Sequence, residues 1–261
     1  MKTTLFFAIA LALFALVALA AADEKTASNG DVAVNVQGTS GKITFWIPER
    51  SDKKYTLTFD SLCETGGGDC LNTFANQEFT FSTPATVSFN NISSKLVSFD
   101  STIATGSQSG VKLTADLYVF LESGNYTVGD QTFYAVENAF KWSVNVSGWV
   151  FANAANKLEL TMGLQHPSYK ASWDATNYTL SYTNEAAVLQ FAKTATYDNS
   201  QEKAVEVTTK VMGSNVAIVM AFSAAESSIW YDPQVTVATA AASSASSFLF
   251  SLAAHLVSLL W

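Results

Sequence analysis

Few side chains in this sequence could do covalent chemistry. Outside the apolar C-terminal tail the one histidine is His166, which precedes Pro167 in a stretch that reads as a turn. A hydrolytic triad needs a nucleophile, a base and a third group to orient the base. His166 has no evident partners, so it reads as a solvated turn residue. No G-x-S-x-G elbow, phosphate loop or dinucleotide fingerprint occurs. Glycoside hydrolysis asks only for two carboxylates, and Glu122, Asp130, Glu137 and Glu159 qualify by lying near strong strands. Acidic residues so placed usually form a solvent face. The expectation is a non-catalytic protein without a cofactor.

Two cysteines, Cys63 and Cys70, bracket the run Glu-Thr-Gly-Gly-Gly-Asp. Outside the cell such neighbours oxidise together, and the glycines let a short loop close. The spacing lacks the companion His or Cys that a structural metal needs. Glu64 and Asp69 are too few oxygen donors for calcium, so no metal is expected. Four sequons, at Asn91, Asn125, Asn145 and Asn177, are candidate glycosylation sites. Asn145 is the least favoured, because it lies inside an alternating run and must then face solvent.

Lys and Arg number 14 against 22 Asp and Glu. That balance cannot neutralise a run of phosphates, which excludes nucleic acid as a partner. The ends read as addresses. Residues 1–22 have a positive start at Lys2, an apolar run from Leu5 to Leu19 and small residues before Asp23. That is a cleavable export signal. Residues 237–247 are a small-residue linker, and 248–261 form a hydrophobic tail without charge. Together they read as a glycosylphosphatidylinositol (GPI) anchor signal, with Ser243 as the attachment residue and Ala240 or Ser244 as alternatives. The expected membrane partner is therefore the outer leaflet of the plasma membrane, reached through a GPI lipid.

Residues 23–236 must supply the folded part. Val32, Val34 and Val36 alternate with polar residues, and so do Ile43, Phe45 and Ile47, then Tyr55, Leu57 and Phe59. The strongest runs are 113–121 and 140–149, and Val216 to Phe222 reads as a buried strand. Period-two spacing signals half-buried strands. No segment holds helical spacing for three turns, residues 185–193 being the nearest. About 14 strands are expected, packed as one extended antiparallel β-sandwich, with two abutting smaller sandwiches as the alternative. Trp142 should fill its centre, and Trp149 with Phe151 should plug one end.

From about Leu113 to Val235 the chain resembles the supersandwich domain of amoebal cell-surface glycoproteins of the ComC and tenascin-like type. The likeness rests on the run Phe140 to Phe151, on Asn156 to Met162, and on Val216 to Phe222 followed by Tyr231-Asp-Pro233. The family's Asn-Trp-Pro-Phe corner is here Gly148-Trp-Val-Phe151, which lacks the proline and the asparagine. The resemblance implies an extracellular all-β domain and carries over no active site. Adhesion or recognition of an unknown surface protein or glycan is then the leading expectation. A sugar-binding domain using Trp46, Trp173 or Trp230 as stacking platforms is the alternative, followed by an anchored glycoside hydrolase. A coat protein, whose glycosylated surface is itself the function, is not separable from adhesion by sequence.

Overall fold

The computed structural model describes residues 24–237 except 38–39, 53, 138, 167–169, 183–186 and 213. The export signal, the attachment residues Ala240, Ser243 and Ser244, and the tail lie outside the described residues. The strands begin with β1 (Glu24–Ser28), β2 (Ala33–Gln37), β3 (Lys42–Trp46), β4 (Tyr55–Glu64), β5 (Cys70–Leu71), β6 (Thr80–Phe81) and β7 (Ala85–Phe89). Next come β8 (Ile92–Thr105), β9 (Gln108–Phe120), β10 (Gly124–Val128), β11 (Gln131–Ala135), β12 (Ala139–Ser147) and β13 (Lys157–Gln165). β14 (Ala171–Asp174), β15 (Thr179–Tyr182), β16 (Val188–Gln190), β17 (Thr194–Tyr197) and β18 (Gln201–Ala204) are short. The last are β19 (Glu206–Met212), β20 (Asn215–Ser223), β21 (Ser228–Tyr231) and β22 (Gln234–Thr236). The described helix is one 3-10 turn, Pro48–Arg50.

An eight-stranded sheet runs β1-β2-β3-β4-β13-β20-β19, with β5 pairing β4. A twelve-stranded sheet contains the path β14-β15-β16-β22-β12-β21-β17-β18, with β9 and β8 joined through β12 and with β6 and β7 on β8. β10 and β11 form a separate hairpin. The pairings are antiparallel throughout, as in β12 with β9 and β13 with β20. Alternation does the sorting. In β12 the side chains of Phe140, Trp142, Val144 and Val146 point inward and are buried. Inward-facing side chains of the two sheets meet in the interior. Phe45 of β3 lies 5.0 Å from Phe140, and Tyr55 of β4 lies 5.2 Å from Tyr182 of β15. Phe222 of β20 meets Tyr231 of β21 at 5.4 Å. Trp142 is wholly buried, as its place in the alternation predicts.

Three features depart from the sequence reading. β1 adds an edge strand N-terminal to the first alternating run. Its turn is held by Asn29, whose Oδ1 accepts from the backbone N–H groups of Asp31 and Val32 and whose Nδ2 donates to the carbonyls of Phe120 and Glu137. Among the described residues twenty-two strands replace the expected number, because pieces of two to five residues are too short to show a period. His166 is not solvated. It is fully buried with its ring 4.5 Å from that of Tyr55, while its backbone N–H donates to the Ser214 carbonyl.

The β10–β11 hairpin covers the outer face of the larger sheet. Tyr126 packs on Phe89 at 5.1 Å and on Phe133 at 5.2 Å, and donates its hydroxyl to Gln234 Oε1. Gln234 Nε2 donates to the Tyr134 carbonyl, tying the hairpin to β22. Lys141 and Ser143, on the face shared with Asn145, are closed to solvent.

Candidate functional site

Cys63 and Cys70 are joined as a disulfide, with their Cα atoms 4.0 Å apart on the paired β4 and β5. The loop they close docks onto two other segments, the turn at 106–107 and the corner at 148–156. Glu64, 4% exposed, is the hub. Its Oε1 accepts from the backbone N–H of Ala152 at 2.9 Å and from Asn156 Nδ2 at 2.6 Å. Its Oε2 accepts from Trp149 Nε1 at 3.2 Å. Asp69 accepts from the Ser107 hydroxyl at 2.5 Å, the Ser107 backbone and Gln108 Nε2, and those bonds hold its carboxyl below the usual carboxylate range. Gln108 in turn forms a two-way pair with the backbone of Val150. Gly106 has φ +56, and a Cβ there would stand 1.8 Å from Asp69 Oδ1, so only glycine fits. The oxygens of Glu64 and Asp69 face N–H and O–H donors, which is an anchor for loops and not a calcium cage. Among the described residues no group of three or more His, Cys, Asp or Glu is placed to hold a metal.

The corner is plugged as expected at Trp149, which is buried, while Phe151 is half-buried. Gly148 turns the chain out of β12 with φ +77. Between them Val150 is 72% exposed, so this apex carries an apolar tip above its polar anchor.

A groove of ≈ 790 Å³ lies where the β10–β11 turn overhangs β15 and β16. Asp130 and Gln131 form one wall, Asp174 and Asn177 the other, and Lys193 with Thr194 close an end. Asp130 and Asp174 are two carboxylates in a cleft. A glycosidase acid, however, must be held protonated, and Asp174 is pushed the other way by donors from Asn177 and Thr176. Glu122, Glu137 and Glu159 do not line this groove.

The three tryptophans proposed for sugar stacking do not share a face. Trp46 alternates with buried Phe45 and stands on the outer face of the smaller sheet, in a shallow hollow with Asn35, Gln37, Lys42, Lys54 and Thr56. Lys54 Nζ lies 4.3 Å above its ring. Trp230 is on the outer face of the larger sheet and donates Nε1 to Asp232 at 2.9 Å. Trp173 packs inward, 5.8 Å from Phe191. A joint platform of these residues is therefore not formed, since the two outward rings lie on different sheets.

Of the sequons, Asn91 is exposed at the two-residue turn between β7 and β8, where Asn90 and Asn91 have φ 47° and 65°. Asn125 and Asn177 are exposed as well. Asn145 is half-buried between Thr114 and Trp230, with its Oδ1 enclosed.

The residues that sequence reading missed are Lys141 and Asp232. Lys141 is completely buried, yet it contacts the Asp232 carboxylate and the Ser143 hydroxyl and lies 4.6 Å from the centre of the Phe89 ring. Its alternation with Phe140 and Trp142 put it on the outer face, and nothing local in the sequence signals the hairpin that covers it. No curated protein matches the chain. Residues 63–160, which supply the disulfide, the Glu64 hub, the Gln108 clasp and the Trp149 corner, match the family model described as acidic skeletal organic matrix protein.

Proposed function

We propose that the chain is a secreted, non-catalytic glycoprotein of an extracellular organic matrix, held at the cell surface and acting by adhesion or recognition. The family match over residues 63–160 carries this reading. It falls on the segment whose disulfide belongs to an oxidising compartment. The excess of acidic over basic residues is in keeping with the acidic matrix class. The two large sheets, meeting through aromatic inner faces, fit a single extended sandwich of the supersandwich kind, with GPI attachment at Ser243, Ala240 or Ser244. Val150, exposed at the apex that Gln108 holds through its backbone, is the side chain of this segment chosen as the contact point to test.

The test is localisation of the tagged full-length chain on intact cells, with and without a phosphatidylinositol-specific phospholipase, followed by a cell-aggregation assay. Surface staining that the phospholipase releases, with aggregation weakened by Val150→Asp, is expected. Protein confined to the cytosol would overturn the reading.

A second reading is favoured by one observation, the hollow around Trp46. An aromatic ring flanked by amide, hydroxyl and lysine side chains has the chemistry to bind a sugar. Trp46→Ala would then abolish retention on a glycan affinity column while leaving the thermal midpoint nearly unchanged. Unaltered retention would remove this alternative.

A further inference from the structure

Lys141 and Asp232 are held in a setting that favours more than an ion pair. Lys141 is in β12, and Asp232 lies in the connection between β21 and β22, which pair in succession along one edge of β12 opposite β9. Lys141 Nζ touches the Asp232 carboxylate with no solvent exposure of its own. The rings of Phe89 and Tyr118 lie 4.6 and 5.4 Å from it. Asp232 Oδ1 also accepts from the Ser143 hydroxyl at 2.6 Å and from Trp230 Nε1 at 2.9 Å. Asp116, opposite Ser143 in the β9–β12 register, accepts from Ser98 at 2.5 Å.

We propose that the Lys141 side-chain nitrogen and the Asp232 carboxyl condense to an amide, so that the folded chain cross-links itself between β12 and the β21–β22 connection.

The steps balance without any co-reactant. A proton passes from the Lys141 ammonium to the Asp232 carboxylate, giving a neutral amine and a neutral acid, the pair from which the amine can attack. The nitrogen lone pair adds to Cγ, and the carbonyl electron pair moves onto Oδ1. The Ser143 hydroxyl and the Trp230 N–H already point at Oδ1 and stabilise that charge as an oxyanion hole does. Asp116 takes a proton from the nitrogen and delivers one to the Oδ2 hydroxyl. The Cγ–Oδ2 bond then breaks, water leaves, and the electron pair on Oδ1 closes the amide carbonyl. Asp232 retains 15% side-chain exposure, which gives the water an exit. Fixing both groups in contact supplies an effective concentration that free acids and amines in water lack. The electrostatics agree with the roles. Burial lowers the Lys141 ammonium from its ordinary value and raises the Asp116 carboxyl from its own, making the one a better nucleophile and the other a better proton carrier.

The reaction needs neither a ligand nor a tether and stands apart from the surface reading. Where the chain is anchored through its C-terminus, the link has a mechanical consequence. β22 is the last described strand, and pulling from beyond it would strip the hydrogen bonds between β22 and β12 first and then stop at the covalent bond at Asp232, which would shield β21 and the strands before it.

The test is a peptide map of the full-length exported protein, denatured, reduced, deglycosylated and digested with trypsin and chymotrypsin. A branched peptide joining Lys141 to Asp232, lighter than the sum of its parts by one water, is expected, together with loss of tryptic cleavage after Lys141. Linear peptides ending at Lys141 in protein shown beforehand to be folded would overturn the proposal. An Asp116→Asn variant is expected to link more slowly by roughly 100-fold, the contribution of one positioned proton carrier. Linking at the unaltered rate would strike Asp116 from the reaction.

Discussion

Asp198 occupies the turn between β17 and β18 with φ +52, and its carboxylate accepts from the backbone N–H groups of Glu226, Ser227 and Ser228. Those bonds hold it down to about 2. A carboxyl lowered on folding stabilises the fold above its unfolded pKa and loses that contribution as pH falls through the folded one. The window therefore runs from about pH 4 down to about 2. The thermal midpoints of the protein and of an Asp198→Asn variant should differ at neutral pH and converge across that interval; a constant difference would refute the assignment. Trp142 has no exposed surface, so Trp142→Ala should cost about 3–5 kcal/mol in denaturant unfolding. Glu64→Ala strands the Trp149, Ala152 and Asn156 donors in a half-enclosed corner. A loss of about 3 kcal/mol is expected from the unsatisfied groups, read by the same titration. These sites differ in how visible they were. Trp142 could be placed from alternation alone. Asp198 and Glu64 could not, because their partners are 28 to 92 residues away in sequence.

At the scale of elements, the disulfide clips neighbouring strands and closes a short loop, whose entropy is small. Replacing both cysteines by serine should lower stability by about 2 kcal/mol and leave the far end of the sheets untouched, a pattern that hydrogen exchange resolves strand by strand. The β10–β11 hairpin is the element with most consequence for the chemistry. Tyr126, Phe133 and Phe89 seal the outer face of the larger sheet, and without that seal Lys141 would be an ordinary solvated lysine. A Tyr126→Ala change should cost about 3–5 kcal/mol and raise hydrogen exchange in β12 and β22 ahead of β13 and β20. Uniform loosening of both sheets would contradict the local role given to the hairpin. The alternating runs read from the sequence did not include β10 or β11, and nothing there signals which surface the hairpin covers. That choice depends on Gln131 and Gln234 finding backbone groups of Phe191 and Tyr134.

For the whole molecule, glycan placement follows from which faces remain open. Asn91, Asn125 and Asn177 project from exposed positions, while Asn145 stands beside Trp230 in the middle of a sheet. A site-resolved glycopeptide map should find the first three occupied and Asn145 bare; a full-sized glycan on Asn145 would show that this face is open. The all-β character, the inner faces of β12 and β13 and the cysteine pairing were legible in the residues, because each depends on neighbours within a few positions. Period two tells which side of a strand is apolar. It does not tell whether the other side meets water or a second layer of protein. The burial of His166, the clasp that fastens the Cys63–Cys70 loop to the Trp149 corner, the separation of Trp46 from Trp230 and the enclosure of Lys141 beside Asp232 were therefore decided only by the tertiary structure. Each brings together groups from distant parts of the chain, and their chemistry changes only when packing removes the water between them.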